Sequence, residues 1–338
     1  MTASPNLIGI GAGIVAAVLF ASLARNSALA ILLFYLTPLP LMLAGIGWGT
    51  RAVLLALFTA TIPLAILDSR LTAIVFCLFL ALPCVVLCYL FLLHRRVPVQ
   101  SGDQEDAAAG KTQIDWYPFG NIIAWAAVMA GVIAVFAFLQ FGLDRKSYLE
   151  NIRAKFDDAT YQQLESITGP NFGRAEFQSM VDAIIAFVPY LPPAFAASWL
   201  LVIIGNLWLA SKTASISGLL ARPIPRFKTI EYPPFLLAGF CAALVLSFAS
   251  GLVGFVGTAF LGAFGCAFLL LGLAVIHTVL AVSQLKILAL TCVYAGLLLT
   301  PWIAPPLTIL GLLEPFIQLR QRFAKQVKLP GTRPGPHS

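Results

Sequence analysis

Charge is scarce in this chain: Asp, Glu, Lys and Arg together make up 10% of its 338 residues. Soluble domains carry about a quarter. In place of charge stand hydrophobic side chains, 60% of the total, and the mean hydropathy is +0.92. That balance excludes a soluble globular protein and leaves a polytopic membrane protein. The net charge of +7 does not point to nucleic acid, because Lys and Arg stand singly near the ends of apolar runs and form no stripe with interleaved aromatics.

Catalytic motifs are missing as well. The chain has no nucleophile elbow, P-loop, HExxH, DxD, or GxGxxG between strand and helix, so no enzyme activity and no cofactor are expected. All six cysteines lie in apolar runs, where cysteine acts as a small hydrophobe and disulfides are not expected. Cys77, Cys84 and Cys88 share one helical face, but His94 lies beyond them at the helix end and further ligands are missing. Packing explains that face, and no metal site is expected. The N-terminal stretch lacks a basic n-region and a small-x-small cleavage site, so it reads as a retained first helix.

What is present is a series of apolar windows of bilayer-spanning length, near 7–24, 27–48, 52–67, 71–93, 120–143, 191–211, 234–256, 259–282 and 285–301, with a weaker one at 304–319. The fold class is therefore all-α, a transmembrane helix bundle of eight to ten spans. The organisation expected is N-terminal spans over 1–143, an extramembrane helical insertion over 144–190, C-terminal spans over 191–325 and a disordered tail over 326–338. Between the fourth and fifth windows, residues 95–118 read as a polar, disordered loop rich in Ser, Gly, Asp, Gln and Ala.

The second window is built to be interrupted. Pro38 and Pro40 fall inside it, and Gly45, Gly47, Trp48 and Gly49 close it. Each proline removes a backbone donor, so carbonyls near mid-bilayer must find partners inside the protein. Such broken helices lie beside solute sites in transporters, and they also serve simply as kinked packing helices. Gly45 with Gly49, and Gly9 with Gly13, have the spacing that lets membrane helices approach closely, as do Gly251, Gly254, Gly257, Gly262 and Gly265 later in the chain.

In the insertion, Ser147 and Glu150 have capping-box spacing ahead of a helix with Tyr148, Leu149, Ile152 and Phe156 on one side. TGPNFGR, residues 168–174, breaks the chain. A second helix then follows with Phe177, Met180, Val181, Ile184 and Ile185 on one face. Both are expected as amphipathic surface helices.

Polar groups at membrane depth are costly and so are functional candidates. Tyr35, Asn206, His277 and Glu314 are the candidate solute-binding residues, with Pro38, Pro40, Gly45, Gly49, Arg320 and Arg322 in structural roles. Each candidate also has a structural reading: Asn206 bridging helices, His277 bonded to a neighbouring group, Glu314 paired with Arg320 or Arg322. Of the 21 Lys and Arg, 14 fall on the N-terminal side of ten alternating spans and 7 on the other, which places both termini in the cytoplasm.

Three segments carry a family resemblance: YLPPAFAASWLLVIIGNLWLASK, IPRFKTIEYPPFLLAG and GLLEPFIQLRQR. The chain resembles the YybS-like bacterial membrane proteins, a family of unassigned function. Its FYLTPLPLMLAGIGWGTRAVLLALF region is similar to the substrate-binding S components of energy-coupling-factor vitamin transporters. The resemblance implies a bacterial inner-membrane protein with a transporter-like analogy and assigns no substrate residue. Two readings stay open: a membrane protein that binds or translocates a small solute, or a non-transporting scaffold or assembly factor with membrane-protein partners. The bilayer is a partner under both.

Overall fold

In a medium without water, every backbone N–H and C=O needs a partner within the protein, which leaves helices as the economical way to cross. The computed structural model describes residues 4–25, 27–98, 112–142, 145–168, 173–224 and 230–327 and is helical almost throughout them. Among the described residues, six helical stretches are long and apolar enough to cross a membrane: Ala28–Trp48, Thr50–Leu67, Arg70–Leu92, Phe119–Leu139, Arg174–Ile216 and Gly251–Val279. Four shorter apolar helices are described beside them, α1 (Pro5–Ala21), Pro234–Ser247, Lys286–Leu299 and Ala304–Ile317. The all-α, polytopic class expected from composition is the one observed.

Every apolar window contains a helix, but the bounds differ, most at the seventh and eighth windows. The window expected at 234–256 ends as a helix at Ser247, and Gly251 turns the chain at φ +69° before the 29-residue helix Gly251–Val279 begins. Hydropathy does not register this turn, because Phe248, Ala249 and Ser250 are as apolar or as small as their neighbours. Pro234–Ser247, Lys286–Leu299 and Ala304–Ile317 have 14 residues each. At 1.5 Å per residue each is about 21 Å long, short of the roughly 30 Å hydrocarbon core.

Two compact units divide the chain, Met1–Met129 with Trp199–Arg226, and Ala130–Ser198 with Phe227–Ser338. Residues 144–190, the expected insertion, fall in the second of these. In the first unit, the second span is broken as its prolines require, into α2 (Ala28–Tyr35) and α3 (Pro38–Trp48). Gly49, at φ +88°, then joins α3 to α4 (Thr50–Leu67). That conformation is almost reserved for glycine, and since a Cβ at Gly49 would meet nothing within 4 Å, its role is the turn and not close packing. Gly45 does mark a close approach: a Cβ there would lie 2.7 Å from Cys88 Sγ. The span Arg70–Leu92 is interrupted by a π turn at Cys77–Ala81, ahead of Pro83.

The polar stretch expected as a disordered loop contains an antiparallel hairpin, His94–Pro98 paired with Thr112–Trp116. His94 faces Trp116 with ring centroids 5.0 Å apart, and Arg95 binds Asp115 at 2.8 Å. Two five-residue strands are too short for an alternation signal to stand out beside a Gly/Ala/Asp-rich connection. Residues 99–111 lie outside the described residues, as do 169–172 of the expected TGPNFGR break and 328–338 of the expected tail.

In the second unit, the helix starting at Arg145 already contains Ser147, so Ser147 does not cap it, and the helix ends at Arg153. Phe156 lies beyond that end. An extra helix, Asp158–Thr168, follows, and the Asp157 carboxylate accepts from Thr160 N at 2.9 Å at its start. Those hydrogen bonds from Thr160 hold the Asp157 pKa below its ordinary value. Tyr161, Phe177 and Val181 form a small core with Phe156, Leu164, Met180 and Ile185, which realises the expected apolar face except for the exposed Ile184. Further on, helix Gly251–Val279 packs against Ala304–Ile317 backbone to backbone. A Cβ on Gly272 would overlap Leu307 O, and one on Gly311 would overlap Phe268 O.

The prolines leave two carbonyls in the first unit that the helix Leu191–Ile216 fills. Leu39 N donates to Leu36 O, so Tyr35 O has no donor within its own helix and accepts from Asn206 Nδ2 at 2.9 Å. Pro83 has no N–H to offer Phe79 O, four residues before it, and Phe79 O accepts from Trp199 Nε1 at 3.0 Å. Trp199 and Asn206 are two helical turns apart and lie on one face. Replacing Trp199 with Phe is expected to destabilise the protein by about 1–3 kcal/mol. In a Pro83→Ala background, where residue 83 regains an N–H for Phe79 O, part of that loss should vanish as a coupling of about 0.5–3 kcal/mol. Thermal unfolding of the four proteins in detergent measures it, and strict additivity would refute the assignment.

Candidate functional site

Each candidate acquires its surroundings from the local rules just described. Asn206 is 6% exposed, and its Nδ2 is shared between Tyr35 O and Val202 O, at 2.9 and 2.8 Å. Its Oδ1 is buried without a hydrogen-bond partner, and so is Thr37 Oγ1, two residues after Tyr35. The structure thus brings Asn206 to the Tyr35 backbone, while the Tyr35 side chain is exposed and its ring lies tilted beside that of Phe34, with centroids 6.0 Å apart. A buried polar atom without a partner costs on the order of 1–3 kcal/mol, and Thr37 Oγ1 in the break and Asn206 Oδ1, on the side chain bonded to Tyr35 O, are each an atom for which a donor-bearing ligand or water would be favoured.

His277 and Glu314 belong to the second unit. His277 Nε2 lies 2.8 Å from the Tyr294 hydroxyl. Glu314 is 3% exposed in the last turns of helix Ala304–Ile317, which stops at Gln318 in the left-handed conformation, φ 54°. Its carboxylate accepts from Leu319 N at 3.0 Å, from Arg320 N at 3.1 Å and from Arg320 Nε at 2.9 Å. Glu314 therefore closes one helix and opens the next, Leu319–Val327, placing its charge at the positive end of that helix. Of the two expected arginine partners, Arg320 is the one used, whereas Arg322 is exposed.

Two further features escaped the sequence reading. Arg222, buried in the first unit, donates to Phe91 O at 3.0 Å and lies over the Phe91 and Trp116 rings at 4.6 and 5.6 Å. Burial pulls its pKa down to about 10. Nothing in RPIPR distinguishes it from the other arginines of the loop. In the second unit, Tyr148 lines a cavity of about 760 Å³, its hydroxyl is buried without a partner, and burial pushes its pKa up to about 12. The helical face had singled out Tyr148, but the pattern carries no sign that its hydroxyl would go unpaired.

The model of a family described as predicted membrane protein (DUF2232) matches residues 14–314, and the chain belongs to that family. No curated protein and no solved structure gives a significant match.

For Glu314, replacement by Gln leaves Arg320, whose side chain is 11% exposed, without its counter-charge. Breaking a buried pair from one side typically costs about 3–5 kcal/mol, so a large fall in detergent melting temperature is expected. Glu314→Gln combined with Arg320→Gln, which removes both charges and keeps an acceptor for the backbone N–H groups, should regain most of the loss. Absence of rescue would mean that the carboxylate serves something other than this pair.

Proposed function

We propose that this family member is a solute-binding protein of the bacterial inner membrane whose site is the break between α2 and α3. The observation that carries the reading is the pair of buried oxygens without partners, Thr37 Oγ1 and Asn206 Oδ1, at that break. Asn206 Oδ1 can only accept and Thr37 Oγ1 can donate or accept, which fits a small polar solute bearing an N–H or O–H group. Tyr35 contributes its backbone carbonyl, already committed to Asn206. The activity is binding or translocation in the manner of a transporter S component. No chemical conversion and no nucleic acid are involved.

A non-transporting scaffold is the second reading. It is favoured by the internal pairing of Glu314 with Arg320 and of His277 with Tyr294, which gives two of the four sequence candidates a structural occupation. Thr37→Val separates the two readings, because it removes the hydroxyl while nearly keeping the shape. Native mass spectrometry of protein purified from its own membrane should show a co-purifying small molecule that is lost in Thr37→Val, with the melting temperature held or raised. A wild-type spectrum without such a molecule, or one identical in the variant, refutes solute binding at the break.

The proposed topology has both termini in the cytoplasm, supported by the asymmetry of Lys and Arg. Reporter fusions after Arg96 and after Lys228 are expected to report cytoplasm, and a periplasmic signal at either overturns that orientation.

A further inference from the structure

A cavity whose lining residues all belong to the second unit stands apart from the residues of the break between α2 and α3. The cavity, of about 760 Å³, is walled by Tyr148, Tyr190, Phe248, Thr258 and Leu261, with Lys146 among its lining residues. That volume is within the roughly 300–1,000 Å³ of small-molecule sites. Most of the wall is apolar and includes Pro189, Pro192 and Pro193. Tyr190 and Phe248 are exposed beside it, the kind of aromatic residue found where a membrane meets water.

Two polar features qualify this apolar space. Tyr148 is 2% exposed and is held edge-on against Phe138, Phe141 and Phe255 at centroid distances of 6.1 to 6.2 Å, yet its hydroxyl has no hydrogen-bond partner. A Phe would satisfy the same aromatic cluster without that cost, so the hydroxyl is explained by something the cavity receives. Lys146 is almost fully exposed, and its contact with Glu150 is a loose 3.9 Å pair that leaves the ammonium free to meet an anion. Tyr148 and Lys146 line the same cavity, so a hydroxyl and an ammonium belong to its lining residues, which suits a polar head group, and the apolar walls match a hydrocarbon chain.

We infer that this cavity binds one anionic amphiphile, its chain against Phe248 and Leu261 and its head group taking a hydrogen bond from Tyr148 and the charge of Lys146. A free fatty acid and a bilayer phospholipid share this chemistry.

The test uses the full chain in a mild non-ionic detergent, titrated separately with oleate, phosphatidylglycerol and phosphatidylcholine and read by native mass spectrometry. The wild type is expected to retain one anionic amphiphile per chain in preference to phosphatidylcholine. Binding to oleate alone identifies a free fatty acid, and binding to phosphatidylglycerol identifies a bilayer lipid. Tyr148→Phe should weaken retention about fivefold to tenfold, the value of one hydrogen bond. Lys146→Gln should abolish the preference over phosphatidylcholine, and Leu261→Trp should fill the cavity and remove binding. Thr37→Val should leave retention unchanged, which separates this site from the one at the helix break. Absence of retention by the wild type, or equal retention by wild type and Tyr148→Phe, overturns the inference. Because Tyr148→Phe keeps the ring and its packing, that comparison stands even if Leu261→Trp fails to fold.

Discussion

A carbonyl that loses its donor in hydrocarbon cannot turn to water, and this constraint organises the first unit. In two of the spans that carry prolines, the freed carbonyls Tyr35 O and Phe79 O each receive a side-chain donor from the helix Leu191–Ile216. Each bond is worth only about 1 kcal/mol net, but leaving such a group buried and unpaired costs more than that. The placement of Trp199 and Asn206 two turns apart thus follows from the two breaks they serve. An aromatic N–H suffices at one, where nothing further is asked of it. At the other an amide is used, and the amide brings a second polar atom that stays unpaired.

The second unit satisfies the same demand with charge. Glu314 closes a short apolar helix, supplies an acceptor to the first N–H groups of an amphipathic one and neutralises Arg320. Three jobs fall to one carboxylate because an isolated anion at that burial would be far more costly than one held by a guanidinium and two amides. Close backbone contact at Gly272 and Gly311 then fixes the helix that carries Glu314 against Gly251–Val279.

Much of this was legible in the sequence, and the reasons differ by residue. Apolar windows report spans because the bilayer sets their length, and Pro38 announced a break because proline has no N–H to give. Asn206 as a bridge and Glu314 as an arginine partner followed from the cost of polar groups at depth. The turn at 248–251 was hidden because turns between membrane helices can be made of apolar or small residues, which hydropathy reads as continuous. The π turn and the use of Trp199 depend on which carbonyl Pro83 orphans and on which helix passes it, a tertiary fact. The hairpin at 94–98 and 112–116 was too short to show a period of two, and the unpaired hydroxyl of Tyr148 depends on neighbours that no local pattern encodes.

The spacing of donors and acceptors along the chain also bears on its synthesis. Phe79 and Trp199 are 120 positions apart, and Tyr35 and Asn206 are 171 apart. A chain emerging from the ribosome N-terminus first therefore inserts both broken spans long before the helix that completes them exists. Until then the two freed carbonyls lack the side-chain donors that serve them in the finished fold. A nascent chain ending before Trp199 is in this sense a distinct species, inserted but unfinished.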